Sequence, residues 1–206
     1  MTLGKAIVLV VEDALSEAVM RKVIAQHAAS LRIANCILSG GVGNIKVGIP
    51  KYRNASHVLP HVVLADLDQH ACASALMTSW GVRELPPAML FRVAVRSIES
   101  WLLADRDCIA DFLSIPRVKV SQSPEALADG KWELVSLARR GRKRRLASEI
   151  CPEPGSAAKQ GPLYNAHMAK FVREHWREDV AALSAPSLAR ACHRIREFEL
   201  RLQNAK

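Results

Sequence analysis

The sequence predicts an α/β fold: a mostly parallel β-sheet flanked by helices, with a helical C-terminal extension. Apolar β-branched runs alternate with helix-period segments through the first half of the chain, the pattern of βαβ units. These runs are continuous rather than alternating, as expected of strands covered on both faces. In the second half no such run recurs, and helical patterns follow one another.

The first strand is AIVLVV at 6–11, closed by Glu12, with Asp13 as N-cap of a helix over 14–30 whose apolar side carries Leu15, Val19 and Val23. A second strand covers 32–38. Glycines at 40, 41, 43 and 48 then mark a loop to about Tyr52, with a short helix before Pro60. GGVGN in that loop resembles a phosphate cradle, but it lacks the GxxxxGK[ST] order and an obvious helix behind it. The third strand spans 61–67, a helix 69–80, and the fourth strand 88–95, ending at Arg96. A helix over 97–113 follows. Ser123-Pro124-Glu125 opens another that runs toward Arg139, 151–162 is a loop, and two helices, 163–180 and 187–203, complete the chain. The expected division is an α/β core over 1–113 and a mainly helical extension over 114–206, packed together as one unit.

Composition narrows the classes. With 206 residues, 50% hydrophobic and 24% charged, the chain can bury a core and is not a disordered polymer. Twenty-nine Lys and Arg against 20 Asp and Glu give +9, which favours a polyanionic partner, nucleic acid first. The excess is concentrated in ARRGRKRRLAS at 138–148, where Arg139, Arg140, Arg142, Lys143, Arg144 and Arg145 could track a phosphate backbone or form a solvated face. The run contains no aromatic residue, so contact there would be sequence-blind. Lys159 and Tyr164, in and after the loop near GPLY, could approach a phosphate, the alternative for a loop lysine being that it is simply solvated. Five scattered cysteines with no CxxC pair exclude a disulfide framework and a zinc site. Without a signal-peptide pattern or a run of 18 apolar residues, the expected compartment is the cytoplasm and no membrane is involved.

The stretch VVLADLDQHA at 62–71 asks for chemistry. Along a strand, Asp66 and Asp68 point the same way and stand ~7 Å apart. At an effective dielectric near 20 their repulsion is about 2–3 kcal/mol. A divalent cation would neutralise them, magnesium being the ion that prefers carboxylate oxygen and keeps waters for phosphate to displace. The alternative is that Asp68 simply caps the next helix. His61 and His70 flank the pair and are read as packed or exposed rather than catalytic.

Glu12 after one strand and Asp66-Leu67-Asp68 after another resemble a Toprim domain, the module shared by topoisomerases, primases and nucleases of the overcoming-lysogenization-defect group. IESWLLAD at 98–105, GPLY at 161–164, FVREHW at 171–176 and APSLARA at 185–191 resemble the Toprim-like domain-of-unknown-function family 4276. The resemblance covers nearly the whole chain. It implies a magnesium-dependent nuclease, with manganese as a substitute, cutting DNA or RNA in bacterial defence against phage or mobile elements beside an ABC-type ATPase. It assigns Asp66 and Asp68 to the metal, Glu12 to a second metal or to acid–base work, and Glu99 as a fourth carboxylate. One position departs: Asp13 stands where the family pattern has glycine after the first acid. Glu99 could instead pair with Arg96 one helical turn earlier, and Asp105 could cap a new helical segment. Two other readings compete, a Toprim-like binding or scaffold protein without catalysis and a response-regulator receiver. The receiver lacks a Pro-Gly turn after the third strand and a Lys-Pro at the end of a fifth.

Overall fold

The computed structural model describes residues 5–205, and the chain divides into two compact units. One runs to Ala94 and resumes at Ala189; the other is Val95–Leu188. The first unit is built on a four-stranded, wholly parallel sheet of β1 (Lys5–Val11), β2 (Leu31–Leu38), β3 (His61–Asp66) and β4 (Met89–Ala94), in the order β2-β1-β3-β4. Consecutive residues Leu9, Val10 and Val11 in β1 and Val62 and Val63 in β3 are fully buried. Side chains alternate between faces, so both faces of these inner strands are covered.

Three helices connect the strands: α1 (Ala14–His27), α2 (Val42–Ala55) and α3 (Ala73–Ser79). Asp13 caps α1 as expected, accepting the Ser16 N–H at 2.9 Å. The stretch expected as a glycine-rich loop is instead the 14-residue α2, which begins at Val42 and carries both Gly48 and Pro50 in its interior. Burial overrides propensity there: Ile45, Ile49 and Tyr52 form one buried stripe, and Gly48 leaves room for the Tyr52 ring, which a Cβ would meet at 2.5 Å. The expected helix over 69–80 starts later, at Ala73, with the Cys72 thiol as its cap.

In the second unit the helix expected over 97–113 is two, α4 (Ile98–Ala104) and α5 (Arg106–Leu113). The chain divides at Ala94 rather than at 113 because α4 packs on α6 (Gly130–Arg140) and α9 (Glu178–Ala182). Every residue of α4 is buried. Trp101 at its centre donates from Nε1 to Ser187 Oγ at 2.7 Å, and Trp176 Nε1 donates to the Trp101 carbonyl at 3.1 Å. Pro124 opens only a single 3-10 turn; α6 begins at Gly130, with Asp129 accepting the Trp132 N–H at 2.8 Å. Then come α7 (Arg144–Ile150) and α8 (Tyr164–Glu174). Three helices rather than two close the chain, since α8 ends at Glu174, α9 is separate, and α10 (Pro186–Asn204) follows. Within the first unit α10 is fastened by Glu199, which accepts from the Ser30 N–H at 2.7 Å and the Ser30 hydroxyl at 2.6 Å. Among the described residues, no helix is long and apolar enough to cross a membrane.

Asp105 breaks α4 from α5 and caps the latter. Its carboxylate, fully buried, accepts from Arg177 Nη2 at 2.7 Å, from Arg177 Nε at 3.1 Å and from the Arg177 backbone N–H at 2.9 Å. Burial alone would raise the Asp105 pKa, but the Arg177 and Cys108 hydrogen bonds outweigh it and hold the group below its ordinary value. Its contribution is therefore full above the unfolded carboxyl value and disappears as pH falls through the lower folded value. Asp105→Asn is expected to cost about 2 kcal/mol at pH 7, below the range for fully buried pairs because Arg177 is half in solvent. Urea denaturation checks this, and the gap from the native protein closes at acid pH.

Candidate functional site

The chain passes from β1 to β2 on one side and then returns to place β3 on the other side of β1. The direction of strand order reverses between β1 and β3, and ligands of open parallel sheets bind outside the carboxyl ends of the strands at such a reversal. Glu12 follows β1 directly and Asp66 is the last residue of β3, so the two acids flank this point at the same edge. Both are half-buried.

Asp68 reaches the edge by a different route from the one pleating predicts. The strand stops at Asp66; the Leu67 N–H still bonds the Ala94 carbonyl at 2.9 Å, and then Asp68 turns into the left-handed region with φ 49°. The His70 N–H closes the turn on the Leu67 carbonyl at 3.1 Å. Asp68 is exposed in this turn and does not cap α3. Aspartate tolerates this conformation better than most residues. Asp13, where glycine was expected, lies at φ −147° and ψ −178°, an extended conformation any residue adopts. The turn after Glu12 therefore needs no glycine. On the same edge Gly40 and Gly41 lead from β2 into α2, whose N-terminus has no side-chain cap; a helix does stand behind GGVGN.

Magnesium asks for one or two carboxylates and keeps several waters. Glu12 and Asp66, with Asp68 in the next turn, suit that ion in donor type and number. Among the described residues no three His, Cys, Asp or Glu side chains are gathered to hold a metal, so a preassembled protein cage of the kind calcium or zinc uses is not present there. No family model matches the chain, and no curated protein or solved structure matches it.

Glu99 belongs to the second unit and is 2% exposed. It accepts from Ser97 Oγ at 2.7 Å and from the Tyr164 hydroxyl at 3.1 Å, and Lys131 Nζ stands 3.5 Å away. Lys131 also lies over the Tyr164 ring, 5.5 Å from its centroid. Tyr164 arrives there because GPLY makes a tight return: a Cβ on Gly161 would fall 2.5 Å from the Glu149 carbonyl.

Beside this network is a cleft of about 390 Å³ lined by Lys131, Trp132, Arg139 and Lys159 among others. It brings together two of the predicted nucleic-acid residues, Arg139 and Lys159, with an aromatic ring that inspection of the basic run alone overlooked. Trp132 is 64% exposed. The rest of the run is dispersed. Arg140, Arg142 and Arg144 are exposed outside the cleft lining, and Lys143 donates to the Phe112 carbonyl at 2.9 Å, closing α5. Arg145 pairs with Glu149 at 3.0 Å.

The Glu99 network makes a stability prediction. Glu99→Ala leaves the buried Tyr164 hydroxyl without this acceptor and Lys131 without its counter-charge, at an expected cost of about 2–4 kcal/mol. Glu99→Gln keeps an acceptor and is expected to cost about half as much, measured by denaturant unfolding of both variants.

Proposed function

We propose that this chain is a magnesium-dependent phosphodiesterase acting on nucleic acid, with Glu12, Asp66 and Asp68 holding the ion. The observation that carries the reading is the position of Glu12 and Asp66 on either side of the strand-order reversal, at the edge where parallel sheets bind ligands. The resemblance to the Toprim-like family points the same way. Bound magnesium supplies an activated water and offsets charge on the leaving oxygen. With the ion bound, Asp66 and Asp68 would anchor it, and Glu12 would orient the attacking water or accept its proton. Within the second unit, Glu99, engaged by Tyr164 and Lys131, is a positioning residue that sets Lys131 in the cleft it lines.

The nucleic acid is held by Arg139, Lys159 and Lys131 through phosphates, with Trp132 offering a stacking face to an unpaired base. Stacking of this kind is worth about 1–3 kcal/mol. Trp132→Ala is therefore expected to weaken binding of a single-stranded oligonucleotide about 5- to 160-fold by fluorescence anisotropy, with an unchanged melting temperature. Equal affinity of the variant removes the stacking role.

A second reading, a binding or scaffold protein without catalysis, is favoured by the lack of any gathered three-acid group among the described residues. Calorimetric titration of manganese into the native protein and into Asp66→Ala/Asp68→Ala, followed by cleavage assays on DNA and RNA, decides between them. The expected result is binding and metal-dependent cleavage by the native protein alone. Manganese binding by neither, with no cleavage of either substrate, leaves the scaffold reading in place.

A further inference from the structure

The first unit also contains a cleft whose lining includes none of Glu12, Asp66 and Asp68. This cleft, of about 450 Å³, is lined by β4 residues 89–92, by residues from Met77 to Pro86, and by Arg194, Glu197 and Arg201 of α10. Four of its lining residues are arginines, Arg83, Arg92, Arg194 and Arg201, and Glu197 is the one acid among them. Four cations less one carboxylate leave a formal charge of +3 in one cleft.

Arg92 projects from the edge strand, and its Nε is buried without a hydrogen-bond partner. Desolvation pushes its pKa down to about 10, with Arg194 and Arg190 pushing the same way and Glu197 opposing them. A guanidinium whose Nε is shut off from both water and an acceptor, set among like charges, is costly to fold. The nearby acid is already engaged: Glu197 accepts from Arg194 at 2.7 Å and faces His193 at 3.1 Å. The other walls are apolar, with Met77, Val82, Leu85, Met89 and Phe91.

We propose that this cleft binds a nucleotide bearing two or more negative charges on its phosphate, the guanidinium groups taking the phosphate and the apolar wall the base. A single carboxylate would leave most of the +3 unanswered. Planar guanidinium forks match phosphate geometry. The volume lies in the range of small-molecule sites and exceeds what inorganic phosphate fills. The same chemistry has two sources, a free nucleotide or the 5′-phosphorylated end of a strand. The proposal is independent of metal at Glu12 and Asp66.

Calorimetry in EDTA tests it while excluding divalent-metal binding at the acidic edge. The probes are ADP, adenosine, pyrophosphate, and an oligonucleotide with either a 5′-phosphate or a 5′-hydroxyl. ADP is expected to bind, with adenosine and pyrophosphate each at least tenfold weaker, or else the 5′-phosphorylated strand binds at least tenfold tighter than the 5′-hydroxyl strand, which assigns the source to strand ends. Arg92→Met and Arg194→Ala are each expected to weaken that binding at least tenfold, whereas Lys51→Ala, exposed on α2 and outside the cleft lining, leaves it unchanged. Arg92→Met should melt at or above the native temperature, since it removes a desolvated charge. Arg194→Ala, on an exposed position, carries the test alone if Arg92→Met does not fold. Silence from ADP together with equal affinity for the phosphorylated and the hydroxyl strand, or equal loss of binding in Lys51→Ala, overturns the proposal.

Discussion

Parallel pairing of β1 with β3 is the constraint on which the first unit rests. Val8, Leu9 and Val10 lie opposite His61, Val62 and Val63, and because β2 also pairs with β1, the chain leaves β1 on one side and returns on the other. That return creates the reversal of strand order, brings the ends of β1 and β3 together, and leaves β2 and β4 as outer strands. The cost of gathering acids at such an edge is met by solvation, because Asp68 swings into an exposed turn instead of continuing the strand.

The second unit has a different centre. Its organising element is a helix of only seven residues with no exposed face. A helix buried all round must satisfy its polar groups inside the protein, and α4 does this through side chains spread along the chain. Trp101 bonds Ser187, Glu99 bonds Tyr164, and Asp105 bonds Arg177. Each of these bonds spans at least 65 residues of sequence, so the unit closes only when distant segments meet.

Much of the sheet was legible because its signals are local. Continuous apolar runs and the Asp13 cap place β1 and α1 without tertiary information. What sequence obscured was set by contacts at a distance. Glycines and a proline argue for a loop at α2, and only the buried stripe of Ile45, Ile49 and Tyr52 makes it a helix. Asp105 is legible as the cap of a new helical segment, but its pairing with Arg177, 72 residues away, is not. Of the candidate site, Glu12 and Asp66 at strand ends were legible. The left-handed turn at Asp68 was not, because period-two reasoning holds only while the strand lasts. Trp132 was missed because it lies seven residues before Arg139, two helical turns that α6 folds into one cleft wall.

Arg92 has one more consequence, and it concerns what the molecule does not do. A parallel sheet ends in two strands whose outer backbone groups could accept another strand, and such edges drive association between chains. Here β4 carries a charged side chain in mid-strand, and Arg194 and Arg201 of α10 line the same cleft as its residues 89–92. A strand approaching this margin would meet Arg92 and would have to strip water from the exposed Arg194 and Arg201 while gaining backbone bonds. The arrangement that makes the cleft receptive to an anion thus also makes β4 a poor template for a neighbouring copy, and it discourages polymerisation through the sheet.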